Sequence, residues 1–282
     1  MGYKGYMVLE SLLNPLKAEK KPWEMFFIGA LYSTAAIFLS LWIFEKKASF
    51  VMVFLTVLAC VPIIYNTLKF EESKDLKIDS ETRLLMEHQR AIWVFSFLFL
   101  GIAVAGVIWY VILPIDVVGY LFEQQIATIA EINNDVSAGV TGFATSTDYL
   151  FRIFFNNLKV LIFSILFAFV YGAGAIFILT WNATVISAAI GHFIRSNFEK
   201  IGYFAAILVG FFKYSLHGIP EILAYFYGGI AGGIISVAII KNHFASERGS
   251  MILLDVGELI LIAIGFLIVA AIFEVYLTPV LF

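Results

Sequence analysis

The chain has 282 residues, of which 61% are hydrophobic and only 14% charged, with a formal net charge of −3. Soluble globular domains carry about 25% charged residues, so this composition excludes one. The lone cysteine, Cys60, excludes an internal disulfide and a thiolate metal cluster, and no basic cluster is present to bind nucleic acid.

Several apolar runs approach the ~20 residues a helix needs to cross a ~30 Å hydrocarbon core, and they run on continuously, without the alternation of barrel strands. The expected fold class is all-α: a polytopic helical membrane protein. About six full transmembrane helices are expected, with two half-length or re-entrant helices between Ala183 and Leu216.

Residues 1–23 form a polar leader in which Val8, Leu9, Leu12, Leu13 and Leu16 recur at helical spacing before lysines and Trp23. This pattern predicts an interfacial amphipathic helix with an aromatic anchor; no cleavable signal peptide is evident. Residues 24–66 read as a transmembrane hairpin, its two spans joined by "EKKA" and Pro62 near its end. Residues 67–90 are rich in charges of both signs, the pattern of a solvated segment. The remainder, 91–282, reads as the main membrane domain.

Within that domain the third span stops at Pro114. Residues 114–149 form a linker whose first half places Val118, Leu121, Phe122, Gln125, Ile129 and Ile132 along one side, predicting an amphipathic helix lying on the membrane surface. Its second half is rich in Gly, Ser and Thr, and Thr147 or Asp148 is placed to cap the next helix. After a long span ending near Thr180, residues 183–194 are apolar for 12 positions and residues 201–216 for 16, with the polar "RSNFEK" between them. Helices of those lengths reach about 18 Å and 24 Å, short of the membrane core, which predicts discontinuous segments. Full spans resume at residues 221–240 and 256–277.

The leader holds four lysines, residues 67–90 hold Lys69, Lys74, Lys77, Arg83 and Arg90, and residues 114–149 hold neither Lys nor Arg. The positive-inside rule therefore predicts a cytoplasmic N-terminus and charged segment, and an external linker.

Ionisable and polar residues inside apolar stretches are the candidate site. In "KYSLHGIPE", Lys213, His217 and Glu221 fall four apart. With Gly218 and Pro220 between them, the stretch reads equally as a membrane-face turn or as a bend inside the bilayer where His217 and Glu221 pair. Lys213 either neutralises Glu221 or snorkels to a headgroup. His192, beside Arg195, reads as interfacial. Asn182 sits between apolar runs, where the sequon it opens is out of reach, and like Asn157 it is a candidate to hydrogen-bond across helices or to satisfy freed backbone at a break. Glu258 and Glu274 fall toward the two ends of the last span. Gly228, Gly229, Gly232 and Gly233, and more weakly Gly172 and Gly174, have the small-xxx-small character of close helix packing, within the chain or between copies.

No metalloprotease, serine-hydrolase or phosphate-loop motif is present. The expectation is a protein without catalytic residues, cofactor or metal.

From about Ala91 onward the chain resembles the stage II sporulation protein M family of prokaryotic membrane proteins. The resemblance rests on Asn157 opening a long span, Asn182 just after it, and His217-Gly218 with Glu221 four residues beyond the histidine, followed by the glycine-rich helix. Where the family often has glycine after the second asparagine, this chain has Ala183. The resemblance implies a membrane complex: in spore formers the namesake organises two wall-degrading partners without hydrolysing anything itself. The leading expectation is thus a scaffold or recruiter in the cell membrane, contacting lipids, and proteins through residues 114–149 or 67–90, with self-association open and nucleic acid excluded. The alternative is transport of a small solute or ion around discontinuous helices.

Overall fold

The computed structural model describes residues 20–75, 81–138, 146–171, 174–240 and 249–282. The expected leader helix, Gly172 and His243 lie outside the described residues. Among the described residues every regular element is helical, and six apolar segments are long enough to cross a membrane.

Helix α1 (Glu24–Phe44) begins on a turn in which the Glu24 and Met25 amides donate to Lys21 and Pro22 carbonyls. It ends at Glu45, where φ is +40°, and a short 3-10 turn (Glu45–Lys47) folds the chain back into α2 (Ala48–Asp75). Helix α3 (Glu81–Ile112) stops just before Pro114, whose ring removes a donor and pushes the preceding residue out of helical geometry. Helices α1 and α3 run parallel in very close contact. A Cβ on Gly29 would strike the Leu98 carbonyl and one on Gly101 the Phe26 carbonyl, so only hydrogen fits at either position.

The linker forms two short helices, α4 (Ile115–Leu121) and α5 (Glu123–Ala138). The expected amphipathic stripe is present, but it does not lie on a lipid surface. Val118, Leu121 and Phe122 are buried against Ile37, Met52, Tyr110 and Ala188 of the body. The apolar face has a mate within the chain because α4 and α5 fold inward over the α1–α2 turn.

Helix α6 (Ser146–Tyr171) is followed by α7 (Ala175–Ile201) and α8 (Tyr203–Ile240). Here the expectation of half-length or re-entrant helices between Ala183 and Leu216 fails. Both helices are continuous, and only Gly202, at φ +81°, separates them. The polar residues that looked like interruptions are accommodated without breaking the helix. The Asn197 amide donates to the Phe193 carbonyl one turn back at 2.9 Å, and Arg195 reaches a neighbouring helix. Helix α9 (Gly249–Ile272) continues through a π-helical turn (Phe273–Leu277) into a final turn, α10 (Thr278–Leu281).

Helix α8 is the axis of the molecule. Phe226 packs on Phe95 and Phe99 of α3, each at 6.0 Å between ring centroids, and Tyr227 stacks on Phe266 of α9 at 5.7 Å. Its glycines face three further helices. A Cβ on Gly228 or Gly232 would strike Leu161 or the Ile165 carbonyl of α6; one on Gly229 would lie 3.0 Å from Ala175 of α7, and one on Gly233 2.7 Å from Leu68 of α2. Lipid tails are as apolar as leucine, so association inside a bilayer relies on this kind of close van der Waals fit.

Candidate functional site

The sequence leaves open whether "HGIPE" lies at a membrane face or inside the bilayer, and depth can be read from the packing. The third span, Gln89–Ile112, has 24 residues and its middle near Gly101. The Ser187 hydroxyl of α7 donates to the Ala103 carbonyl at 2.9 Å, which puts Ser187 at that depth. The adjacent Ile186 lies against Gly218 of α8, 3.8 Å from where a Cβ would be. His217, Gly218 and Glu221 are therefore at about mid-span. They do not form a turn at a face: Pro220 sits inside the continuous α8. Membrane helices tolerate proline where neighbouring helices support the freed backbone.

The structure does not bring the expected pairs together. Glu221 Oε1 accepts a hydrogen bond from the Tyr225 hydroxyl at 2.8 Å, one turn along α8, where the sequence reading paired it with His217. The His217 Nδ1 atom is buried with no hydrogen-bond partner among the described residues. Lys213 does not neutralise Glu221; its ammonium lies 5.5 Å from the ring centre of Phe193 and 6.0 Å from that of Tyr214, a cation–π arrangement. Asn182 spends its amide locally, donating to the Ile178 carbonyl of its own helix at 2.8 Å. Asn157 is buried in α6.

The last span contributes a further ionisable residue. Glu274, half-buried, belongs to the segment Phe273–Leu277, which packs against α8. It sits on the π-helical turn, which has a local cause. Pro279 has no amide hydrogen and its ring crowds the carbonyl four residues back, so the helix widens just before it. There the Thr278 amide and hydroxyl both donate to the Phe273 carbonyl, the hydroxyl at 3.0 Å. Such single π-turns occur often at functional sites. The sequence signals were a tyrosine one helical turn beyond Glu221, and a proline five residues after Glu274.

Two further polar features escaped the sequence reading. Gln125 of α5 is fully buried, accepts from the Ser49 hydroxyl of α2 at 2.9 Å and donates to the Thr184 hydroxyl of α7 at 3.2 Å. The Gln124 amide in turn donates to Ser49 at 3.2 Å. Arg195, three residues after His192, donates to the Val111 carbonyl at 3.0 Å and to the Leu113 carbonyl, and its guanidinium lies 5.8 Å from the Tyr110 ring centre. It thereby satisfies the open carbonyl end of α3.

Among the described residues no three His, Cys, Asp or Glu side chains converge as metal ligands. What α8 offers here is a carboxyl hydrogen-bonded to a phenol, with an imidazole one helical turn away, at about mid-span.

Membrane-length helices packed through glycines around a central helix, with a polar cluster at half depth, define a polytopic helical membrane protein. The family model for Stage II sporulation protein M matches residues 94–279, and the chain belongs to that family. Neither the curated proteins nor the solved structures give a match. The matched span runs from within α3 to α10, so the α1–α2 hairpin precedes it.

Proposed function

We propose that this protein is a scaffold that recruits partners to a complex in the cell membrane, with its N-terminus in the cytoplasm. The observation that supports this best is the continuity and interlock of α7 and α8. A transporter of the discontinuous-helix type needs unwound segments at the midplane. The two positions expected to supply them, around Asn182 and His217–Glu221, are helical.

Within residues 114–149 the apolar stripe is not free to meet a partner. Leu121 and Phe122 are buried and serve the fold. The outward side of the linker exposes Ile115, Asp116, Glu123, Ile126 and Glu131. It combines two exposed isoleucines with acidic residues and no basic one, the chemistry to meet a partner patch with an apolar centre and basic rim.

A photo-reactive residue placed at Ile126 should give a discrete protein adduct in intact membranes. The same residue at Leu31, exposed on the membrane span, should give only lipid adducts. Lipid adducts alone at both positions would count against the scaffold. The second reading, transport of a small solute or ion, is favoured by the mid-depth position of Glu221. Solute-dependent flux in liposomes that disappears in Glu221→Gln would place it first.

A further inference from the structure

We propose that the outer face of α6 is a docking surface inside the membrane for a transmembrane helix of another protein, one that carries a carboxylate near its middle. The face has the period of a helix–helix seam. Arg152, Phe155, Lys159, Ile162, Leu166 and Phe169 recur at alternating steps of three and four residues, and all six are exposed. That spacing aligns them in one stripe, the repeat by which a helix seats its side chains between those of another.

The depth of the two cations in this stripe says what the other helix must bring. Helices α6 and α8 run side by side in the same direction: Leu161 of α6 meets Gly228 of α8, and the Ile165 carbonyl meets Gly232. The Ser164 hydroxyl donates to the Tyr225 carbonyl at 3.3 Å. With equal rise along both helices, Arg152 comes roughly level with His217 and Lys159 roughly level with Ala224, one on either side of Glu221. Both cations therefore lie near mid-span, where water is half a hydrocarbon core, ~15 Å, away. A lysine stem is too short to carry its ammonium that far.

Among the described residues neither Arg152 nor Lys159 forms an ion pair. Charges at this depth almost always face a protein interior or a counter-charge, because facing lipid is costly. The chain alone gives these two neither, so the missing wall comes from outside it. A carboxylate on the partner helix meets both cations, and Asn156, exposed on the same side, adds a hydrogen-bonding group between them. A second copy of this chain does not supply that carboxylate. Its exposed acidic residues, among those described, lie at helix ends or in the linker, and Asp255, Glu258 and Glu274 of the last span are buried or half-buried. Lipid does not supply it either, since lipid phosphates stay at the membrane faces. The surface is separate from the outward side of the linker and does not rest on the scaffold reading: a transporter with an accessory helix would use it equally.

The test places purified full-length protein in phosphatidylcholine vesicles with synthetic polyleucine helices and reads energy transfer from protein to peptide. A peptide with one aspartate at its centre should bind roughly tenfold tighter than the all-leucine peptide, and tighter than one with the aspartate at its end. Equal binding of the three peptides to the wild type overturns the proposal without any variant. Arg152→Gln combined with Lys159→Gln should abolish the preference, and Arg152→Glu with Lys159→Glu should turn it toward a peptide with a central lysine. A preference that persists in the double glutamine variant places the binding elsewhere and overturns the proposal as well. So does energy transfer between differently labelled copies of the protein that the double glutamine variant loses, since it assigns the face to self-association.

Discussion

Gln125 shows how much one polar side chain can do inside an apolar body. Its carbonyl oxygen and amide nitrogen are both engaged, by Ser49 and Thr184 on two different helices. Removing one member of a buried hydrogen-bonded set costs about 1–3 kcal/mol, because the abandoned partners lose water without gaining a replacement. Gln125→Ala should therefore lower the melting temperature in detergent clearly, and Gln125→Glu should not restore it, since a carboxylate has no hydrogen to give Thr184. Glycine positions give the complementary test. Gly101→Val places carbon against the Phe26 carbonyl and should destabilise by at least the ~1–3 kcal/mol of an overpacked core. Gly265→Val meets nothing within 4 Å and should melt like the wild type. The sequence showed Gln125 as one polar member of an apolar stripe. It did not show that the stripe turns inward, because a periodic pattern specifies a face and not what covers it.

At the scale of elements, the long spans and the stop at Pro114 were legible from apolar length alone. The α7–α8 pair was not. Its length was misjudged because Arg195, Asn197 and the His217–Glu221 stretch look like interruptions to a hydropathy reading. Each is instead compatible with continuous helix for its own reason: a carbonyl end to satisfy, a backbone oxygen one turn back, a buried cluster to join. Arg195 carries a direct consequence. Arg195→Ala leaves the Val111 and Leu113 carbonyls without their donor and should lower thermal stability, by an amount of order 1–3 kcal/mol. Arg195→Lys should recover only part of it, since an ammonium cannot lay a planar fork across two carbonyls and a ring. If the alanine variant melts unchanged, the guanidinium is not the cap of α3. Glu274 was visible only as a charge toward one end of the last span, and the packing of its turn against α8 is a tertiary fact that no local pattern encodes.

For the whole molecule, the lysine-free and arginine-free linker predicts its side of the membrane. With Cys60 replaced by alanine, an impermeant thiol reagent should label Ser137→Cys in intact cells and miss Ser80→Cys; the reverse pattern would invert the topology. The hairpin before the family-matched span is also more than an appendage. It supplies Gly29 and Phe26 to the α3 contact and Ser49 to the linker. A chain lacking α1–α2 should therefore be unstable, and co-expressing the hairpin as a separate piece should restore detergent-stable protein.

The joint at Gly202 bears on how the protein is made. With a single residue between them, α7 and α8 have no slack to sit apart in the membrane, so they must leave the insertion machinery as one antiparallel pair. Glu221 then never faces lipid on a solitary helix: by the time its half of α8 has been synthesised, α7 is already alongside. Lengthening the joint with a run of flexible residues would separate the two events. The cost would show as slower accumulation in the membrane and greater degradation during synthesis, even where the finished protein is as stable as before.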